Sequence, residues 1–184
     1  MKFKDMKYTR PDFDKVKEEV KEYTDKLNNA STYEEARQIF IDKDKLDRHL
    51  NTENTLVSIR HSIDTKDQFY DEENKYWNNI MPSLRPFEQE WTNALLNSKF
   101  KKEFEKEFGN VFFINAEIEL RSFKEELIPY LQKENELTDE YEVLLSSAKI
   151  EFNGKTYTLS QLTPFKNSLD DDIRLKAWKA EGKW

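Results

Sequence analysis

The sequence predicts a mainly α protein, a bundle of long helices with one β-hairpin near residues 149–159. The chain contains only 3 Gly and 5 Pro in 184 residues, and 36% of its residues are charged, as is typical of long solvated helices. Apolar residues recur at spacings of three and four over most of its length. The 13 Phe, 8 Tyr and 4 Trp can each bury about 150–250 Å², so they supply a core.

The first two helices follow the polar start of the chain. Pro11 stands where a first helical turn accepts proline, and the apolar residues after it form one stripe. Ser31 and Glu34 have the spacing of a capping box, in which each side chain bonds the other residue's backbone N–H, so a second helix is predicted to begin there. It continues to about residue 64, either as one helix or as two that meet near Asn51–Asn54.

A third helix is predicted to begin at the capping segment Thr65–Asp67. Pro82 and Pro86 then lie inside a helical pattern, and each removes a backbone donor and clashes with the preceding turn. A kink or break is therefore predicted there. The pattern resumes and ends at Gly109, a suitable residue after a helix. Its last part carries three residues that are predicted to pack in the core: Phe100, Phe104 and Phe108.

Three further helical segments are predicted before the hairpin. The first extends from Val111 to Phe123. The second is a shorter helix near Leu127–Leu131, which Pro129 interrupts. The third begins at Thr138, where the chain offers a new helix start.

The hairpin is predicted from two segments of period two that flank Asn153–Gly154. This dipeptide favours a type I′ turn, which requires positive φ at both central residues. In that register Ile150 faces Tyr157, and Phe152 and Leu159 lie on one side of the hairpin. A lone hairpin is only marginally stable, so this apolar side must pack against helices or against further chain.

The last predicted helix is capped by Ser168 and carries Asp170–Asp172 in its first turn, where negative charge is favourable. Its pattern continues to Trp184 with no C-cap. Such a pattern suggests a chain that was cut within a helix. Residues 1–184 are accordingly expected to form a single helical domain of a longer protein.

Composition excludes several classes of function. The net charge of −7 and the pI near 5.1 argue against nucleic acid or an anionic membrane as the main partner. The lack of Cys excludes disulfides, Cys-based zinc sites and cysteine nucleophiles. No apolar stretch is long enough to span a bilayer, and the start of the chain lacks the apolar region of a signal peptide, so a cytoplasmic location is expected.

The sequence predicts no catalytic, cofactor-binding or metal-binding residue within this chain. His49 and His61 are twelve residues apart, whereas a helical zinc pair needs a separation of four with a glutamate between. Glu117 and Glu119 point about 200° apart on a helix, so they are not a catalytic pair. Glu117 and Arg121 instead predict a surface ion pair.

One polar cluster has two interpretations. Arg60, His61 and Asp64 share one helix face, and polar residues of the next helix start follow them. The favoured interpretation is a structural cluster that ties the second helix to the third. In the other, the cluster contributes to a substrate-binding wall, or His61 and Asp64 act as an oriented base. Its members are Arg60, His61, Asp64, Thr65, Asp67 and Tyr70.

Several stretches of the chain resemble the N-terminal part of M3-family oligoendopeptidases of the oligoendopeptidase F type. The longest runs from Leu56 to Glu73 and includes the polar cluster. Two others run from Ser147 to Gly154 and from Leu159 to Phe165. The opening segment 1–6 and the segment Arg10–Asp12 also fit, so the likeness covers essentially the whole chain in order.

The resemblance implies a zinc metallopeptidase that cleaves short peptides in a deep channel walled by helices. The family's catalytic His-Glu-x-x-His motif and its downstream Glu lie on the C-terminal side of a much longer chain and are absent here. This chain would therefore be the N-terminal lobe and one wall of the channel. Its partners would be its own C-terminal catalytic domain and short peptides, with zinc bound only in the full-length enzyme.

Two other functions remain open from the sequence. The chain could be a free-standing helical protein-interaction module without catalysis, which would have a self-sufficient core and no large exposed apolar patch. It could also be an autonomous enzyme that uses His61 and Asp64. A separated lobe, in contrast, is expected to expose an apolar surface where the rest of its protein packs.

Overall fold

The structure is a computed structural model that describes residues 2–184, so Met1 of the opening segment lies outside the described residues. The fold is mainly α, as predicted, with one antiparallel hairpin. The chain divides into two compact units, the first ending at Lys133 and the second spanning Glu134–Trp184. The helices and strands have these bounds: α1 Phe13–Asn29, α2 Tyr33–Ile63, α3 Gln68–Leu96, α4 Lys101–Phe108, α5 Asn110–Ser122, α6 Ile128–Ser146, β1 Ile150–Phe152, β2 Lys155–Tyr157, α7 Leu159–Lys166 and α8 Asp171–Glu181.

The starts of α1 and α2 differ by one or two residues from the prediction. Pro11 precedes the helix, and Asp12 caps α1 by accepting a hydrogen bond from the backbone N–H of Lys15. The predicted Ser31 cap is wrong, because Thr32 caps α2 by accepting from the N–H of Glu35 at 3.2 Å. The Glu35 carboxylate in turn accepts from the N–H of Ser31 at 2.8 Å. The helix then continues without interruption through residues 51–54.

Helix α3 is continuous through Pro82 and Pro86, so a break there is wrong, while the alternative of a kink stays a prediction. Core contacts on both sides of the prolines explain why the helix continues. Trp77 and Trp91 are both buried, and each anchors one half of α3 in the same core. Burying one such side chain is worth several kcal/mol, which offsets the roughly 3 kcal/mol that a proline costs within a helix.

The segment after α5 forms one helix, α6, where two were predicted. Pro129 is its second residue, and a first helical turn accepts proline because its N–H groups have no partner within the helix. Thr138 consequently lies inside α6 and does not start a new helix.

The core of the first unit lies where α1, α2 and α3 pack together, with α4 and α5 against them. Phe104 is fully buried, and its ring centroid lies 5.3 Å from that of Tyr33 and 5.4 Å from that of Phe40. Of the predicted Phe stripe, Phe104 is thus in the core, whereas Phe108 is 38% exposed. Gly109 follows α4 with a φ of 87°, which explains why the helix ends there.

An ion cluster centred on a buried lysine joins α2 to α3. The side chain of Lys43 is 1% exposed, and its Nζ lies 2.7 Å from Asp47 of the same helix and 2.8 Å from Glu88 of α3. Burial raises the pKa of both carboxyl groups above their ordinary values, while the lysine charge opposes the shift. A single ammonium therefore compensates two partly desolvated carboxylates.

In the second unit the hairpin has the predicted register, with Ile150 paired to Tyr157. Asn153 and Gly154 have φ values of 51° and 75°, as a type I′ turn requires. The second strand ends before Leu159, however, because Thr158 caps the unpredicted helix α7.

The cap of α7 is a full capping box, Thr158 with Gln161, which the sequence contains. Thr158 Oγ1 accepts from the N–H of Gln161 at 3.3 Å, and Gln161 Oε1 accepts from the N–H of Thr158 at 3.0 Å. The apolar residues of the hairpin pack against α7 and α8. They form a separate small core: Ile150, Phe152, Leu162 and Ala177.

Helix α8 is shorter at both ends than predicted. Asp170 caps it, accepting from the N–H groups of Asp172 at 2.9 Å and Ile173 at 3.1 Å, so the predicted Ser168 cap is wrong. Ser168 instead accepts a bond from the N–H of Asp170. The helix ends at Glu181 rather than continuing to the last residue. Within residues 2–184, no helix combines the length and apolar composition that a membrane span requires.

The two Phe residues of α4 provide a test of this core. Phe104→Ala is expected to lower the free energy of unfolding by about 3–5 kcal/mol, because it leaves a cavity among aromatic rings. Phe108→Ala, one turn further along the same helix, should cost about 1 kcal/mol or less because that side chain is already partly exposed. Urea denaturation followed by circular dichroism measures both values, and equal losses would contradict the assignment.

Candidate functional site

The structure brings together two members of the predicted cluster, Arg60 near the end of α2 and Tyr70 at the start of α3. One terminal nitrogen of Arg60 donates a hydrogen bond to the Tyr70 hydroxyl, and the other donates to the backbone carbonyl of Met6. The guanidinium carbon also lies 5.3 Å from the Tyr70 ring centroid and 5.6 Å from that of Phe3. Arg60 thus fixes the segment before α1 against both helices.

The turn between α2 and α3 uses three other members of the cluster. Asp64 ends α2, and its carboxylate accepts from the N–H of Lys66 at 3.0 Å. Asp67 caps α3, accepting from the N–H groups of Phe69 at 3.0 Å and Tyr70 at 3.3 Å. Thr65 lies in the same turn and is half-buried. The two aspartates therefore satisfy backbone donors that would otherwise lack partners.

His61 is buried and faces a carboxylate that the sequence analysis did not consider. Its side chain is 3% exposed, and its Nε2 lies 3.7 Å from Asp71 Oδ1. The Asp71 carboxylate also forms an ion pair with the ammonium of Lys75, at 2.7 Å. The hypothesis of a base oriented by Asp64 thus gains no support from the contacts of Asp64, which serve the turn.

Beside this cluster lies a larger polar network that the sequence analysis missed. We call residues 2–12 the leader, and the network binds it to α2 and α3. Glu73 of α3 is 4% exposed and accepts hydrogen bonds from the Tyr8 hydroxyl and from the guanidinium of Arg10. The indole N–H of Trp77 donates to the Tyr8 oxygen at 3.1 Å. A second buried glutamate, Glu53 of α2, accepts from the N–H of Thr9 at 2.9 Å.

The electrostatics of the network follow from burial and from its ion pair. The hydrogen bonds from Arg10 hold the pKa of Glu73 below its ordinary value. Burial raises the pKa of the Tyr8 phenol, and its donation to Glu73 raises it further. Tyr8 therefore stays protonated and acts as a donor to a carboxylate that stays ionised.

A sequence signal for this network existed. Glu73 lies three residues after Tyr70 and four before Trp77, so it occupies the inward-facing stripe of α3. A carboxylate in such a position needs a partner, because a buried charge without one is costly. The partner itself could not be identified, since Arg10 lies 63 positions away in the chain.

The histidines of this chain do not form a shared metal site. His49 and His61 both lie on α2, where twelve residues at about 1.5 Å each place them about 18 Å apart along the axis. Each faces a different carboxylate, Glu53 for His49 and Asp71 for His61. The described contacts of Arg60, Asp64 and Asp67, and those of the network, join the leader and the turn to the two long helices.

Comparison with known proteins identifies the family. The profile of the peptidase M3 N-terminal domain matches residues 3–123 of this chain. No curated protein sequence matches the chain. The resemblance expected from the residues around the cluster is thereby confirmed.

Solved structures match over the full chain. A candidate oligoendopeptidase F from Bacillus anthracis str. Ames is 37% identical with a TM-score of 0.93, and the match covers 100% of this chain and 34% of that one. Another candidate oligoendopeptidase F is 34% identical with a TM-score of 0.94, covering 100% of this chain and 32% of that one. PZ peptidase A with an inhibitor is 34% identical with a TM-score of 0.93, and the match covers 99% of this chain and 32% of that one. The chain thus spans about a third of the length of these structures.

The network predicts a specific pH dependence. Glu73→Gln is expected to lower the free energy of unfolding at pH 7 by about 1–2 kcal/mol, a modest value because Arg10 is half exposed to solvent. Since folding lowers the pKa of Glu73, its contribution is present above the pKa of a free glutamate, about 4.3, and is lost as the pH falls through the folded pKa. The difference between wild type and variant should therefore shrink toward zero as the pH falls below about 4.

Urea denaturation at a series of pH values measures this difference. Glu72→Gln is the matched control, because Glu72 is the exposed neighbour on the same helix. The control should change stability by less than about 0.5 kcal/mol at any pH. A loss in Glu73→Gln that is the same at pH 3 and pH 7 would contradict the assigned role of the ion pair.

Proposed function

The chain belongs to the peptidase M3 N-terminal domain family, and from this premise we propose that it is the non-catalytic N-terminal lobe of a zinc metalloendopeptidase that hydrolyses short peptides. In the complete protein the lobe forms one wall of the substrate channel and limits the size of the peptides that enter. The catalytic domain, the zinc ion and the catalytic residues belong to the remainder of the protein. We place that protein in the cytoplasm.

This chain matches only part of each related structure, which supports the proposal that it is part of a larger enzyme. Each of the three structures extends well beyond the region that corresponds to this chain, which is 32–34% of its length. The identity of 34–37% over the whole chain indicates that the chain keeps the fold of that region.

The observation that carries the proposal is the outer face of α5. Its inner face is buried through Phe113 and Ala116. Its outer face carries Val111, Ile114 and Ile118, at spacings of three and four, and these side chains are 64%, 50% and 57% exposed. A helix that is apolar on both sides is typically buried on both sides. We infer that the remainder of the enzyme covers this face, which we call the α5 stripe.

The second unit carries a similar feature of its own. Leu137, Tyr141 and Leu144 lie at spacings of four and three on α6, and each is more than half exposed. Covering three such side chains would stabilise a complex by a few kcal/mol, at roughly 25 cal/mol per Å² of apolar surface. Exposed apolar faces of this size are typical of interaction surfaces.

The two histidines of this chain cannot supply the paired ligands of a His-Glu-x-x-His zinc site. The two histidines lie on one helix about 18 Å apart along its axis, and the sequence has no Cys. We therefore assign no step of peptide hydrolysis to this chain. The chain contributes shape and packing, and its leader network keeps that shape fixed.

The alternative is a free-standing helical interaction module. The aromatic core of the first unit is well buried, which such a module would require. The two functions differ in what the apolar stripes do. A lobe buries them against its own enzyme, whereas a free-standing module is expected to have a self-sufficient core and no large exposed apolar patch.

Two measurements on the 184-residue chain test the proposal. A hydrophobic dye such as ANS should bind the native chain. The double variant Ile114→Gln/Ile118→Gln should lower its fluorescence by about half or more, since it removes most of the α5 stripe. Asn115→Gln/Ser122→Gln, which changes exposed polar residues of the same helix, is the control and should leave the fluorescence unchanged.

The second measurement is hydrolysis of an internally quenched short peptide in the presence of Zn²⁺. The chain alone should give no turnover above the buffer rate, because it holds no zinc-binding motif. The non-catalytic assignment would be refuted by turnover that persists after the chain has been repurified and passed through gel filtration in a buffer without chelator. A native chain that binds no dye would refute the role of the α5 stripe.

A further inference from the structure

A groove of about 700 Å³ lies between the leader and the adjoining ends of α2 and α3, within the first unit. It is open to solvent along its length. The side chains that matter for its chemistry come from all three elements: Lys4 and Lys7 of the leader, Arg60 and Ile63 of α2, and Phe69 of α3.

All the charged side chains that line this groove are cationic. Lys4, Lys7 and Arg60 form no ion pair with any carboxylate of residues 2–184. The hydrogen bonds of Arg60 go to the Met6 carbonyl and the Tyr70 hydroxyl, and both of these groups are neutral. Three cationic side chains without an ion-pair partner among the described residues thus line one groove of a chain whose net charge is −7. Such a groove attracts anions.

The groove also exposes large apolar side chains. Ile63 is 74% exposed and Phe69 is 52% exposed, although both lie at helix ends where polar residues are usual. Phe3 of the leader is 39% exposed beside them. A simple inorganic anion would leave this surface uncovered, so the pattern fits a ligand with both anionic and apolar groups.

The groove is fixed before any ligand binds. Arg60 is held by its two hydrogen bonds and lies between the rings of Phe3 and Tyr70. The leader is held by Glu53 and Glu73, which bind it at Thr9 and at Arg10. Little ordering entropy is therefore lost on binding.

The donors that remain on Arg60 favour a carboxylate. A guanidinium has five N–H donors in one plane, and the hydrogen bonds to Met6 and Tyr70 use two of them. This planar group matches carboxylate geometry, and Lys4 and Lys7 add two further positive charges to the lining of the groove.

We propose that the groove binds an acidic peptide segment that also carries an aromatic or aliphatic side chain. The carboxylates of the segment lie against Lys4, Lys7 and Arg60, and its apolar side chain packs on Ile63 and Phe69. This proposal concerns the groove beside the leader and does not depend on the peptidase assignment.

The test is fluorescence anisotropy with a labelled hexapeptide, Asp-Glu-Phe-Asp-Glu-Leu, titrated with the 184-residue chain at low salt. The peptide should bind saturably, and binding should weaken markedly in about 0.3 M NaCl because the charges are exposed. Lys4→Glu/Lys7→Glu should weaken binding by about tenfold or more, since it reverses two of the three cations.

Matched controls separate this site from general charge effects. Lys102→Glu/Lys106→Glu makes the same charge change at two exposed lysines of α4 and should alter the affinity by less than about twofold. Phe69→Ser should weaken binding while circular dichroism shows an unchanged fold, because that side chain is half exposed.

Three outcomes would overturn the proposal. The first is no saturable binding by the wild-type chain. The second is equal loss of affinity in the leader variant and the α4 control. The third is equally strong binding by a peptide with Ser in place of Phe and Leu, or by inorganic pyrophosphate used as a competitor. Either result would show that the groove is only a general anion site.

Discussion

The pairing of α2 with α3 is the constraint on which the rest of the first unit depends. Both helices contain about 30 residues, and the short turn that joins them is closed by Asp64 and Asp67. Far from the turn, Lys43 joins the helices through Glu88. Nearer to it, buried Glu73 binds the leader. The position of the leader, and the groove beside it, follow from this pairing.

The two polar clusters respond to pH in opposite senses. Arg10 lowers the pKa of Glu73, so that group stabilises the fold above the pKa of a free glutamate. Burial raises the pKa of Asp47 and Glu88, so their contribution is greatest below the pKa of the free groups and is lost as the pH rises through the folded values. The buried ammonium of Lys43 limits that loss at neutral pH.

Local chemistry made most of the fold predictable. The hairpin register follows from Asn153–Gly154, and the end of α4 follows from Gly109, since both need positive φ. Tertiary packing explains the errors. Buried Trp residues on either side keep α3 continuous through Pro82, and Pro129 is harmless because it lies in a first turn. The Thr158 capping box lies within the segment of period two that predicted a strand, which is why the sequence did not predict α7.

The candidate site was predicted only in part. The sequence identified Arg60 and Tyr70 as members of one cluster, and the structure joins them directly. It could not identify the partners supplied by the leader, because Met6 lies 54 positions from Arg60. For the same reason the sequence did not identify Arg10, 63 positions away, as the partner of Glu73. Long-range polar contacts of this kind have no periodicity by which a sequence could reveal them.

The central claim is that this chain is one lobe of a longer zinc peptidase, and sequencing the encoding gene beyond codon 184 tests it most directly. The reading frame is predicted to stay open and to encode His-Glu-x-x-His with a further Glu downstream, in a chain about three times as long as this one. A stop codon directly after Trp184 would contradict it, and the family relationship would then reflect ancestry without a shared catalytic role.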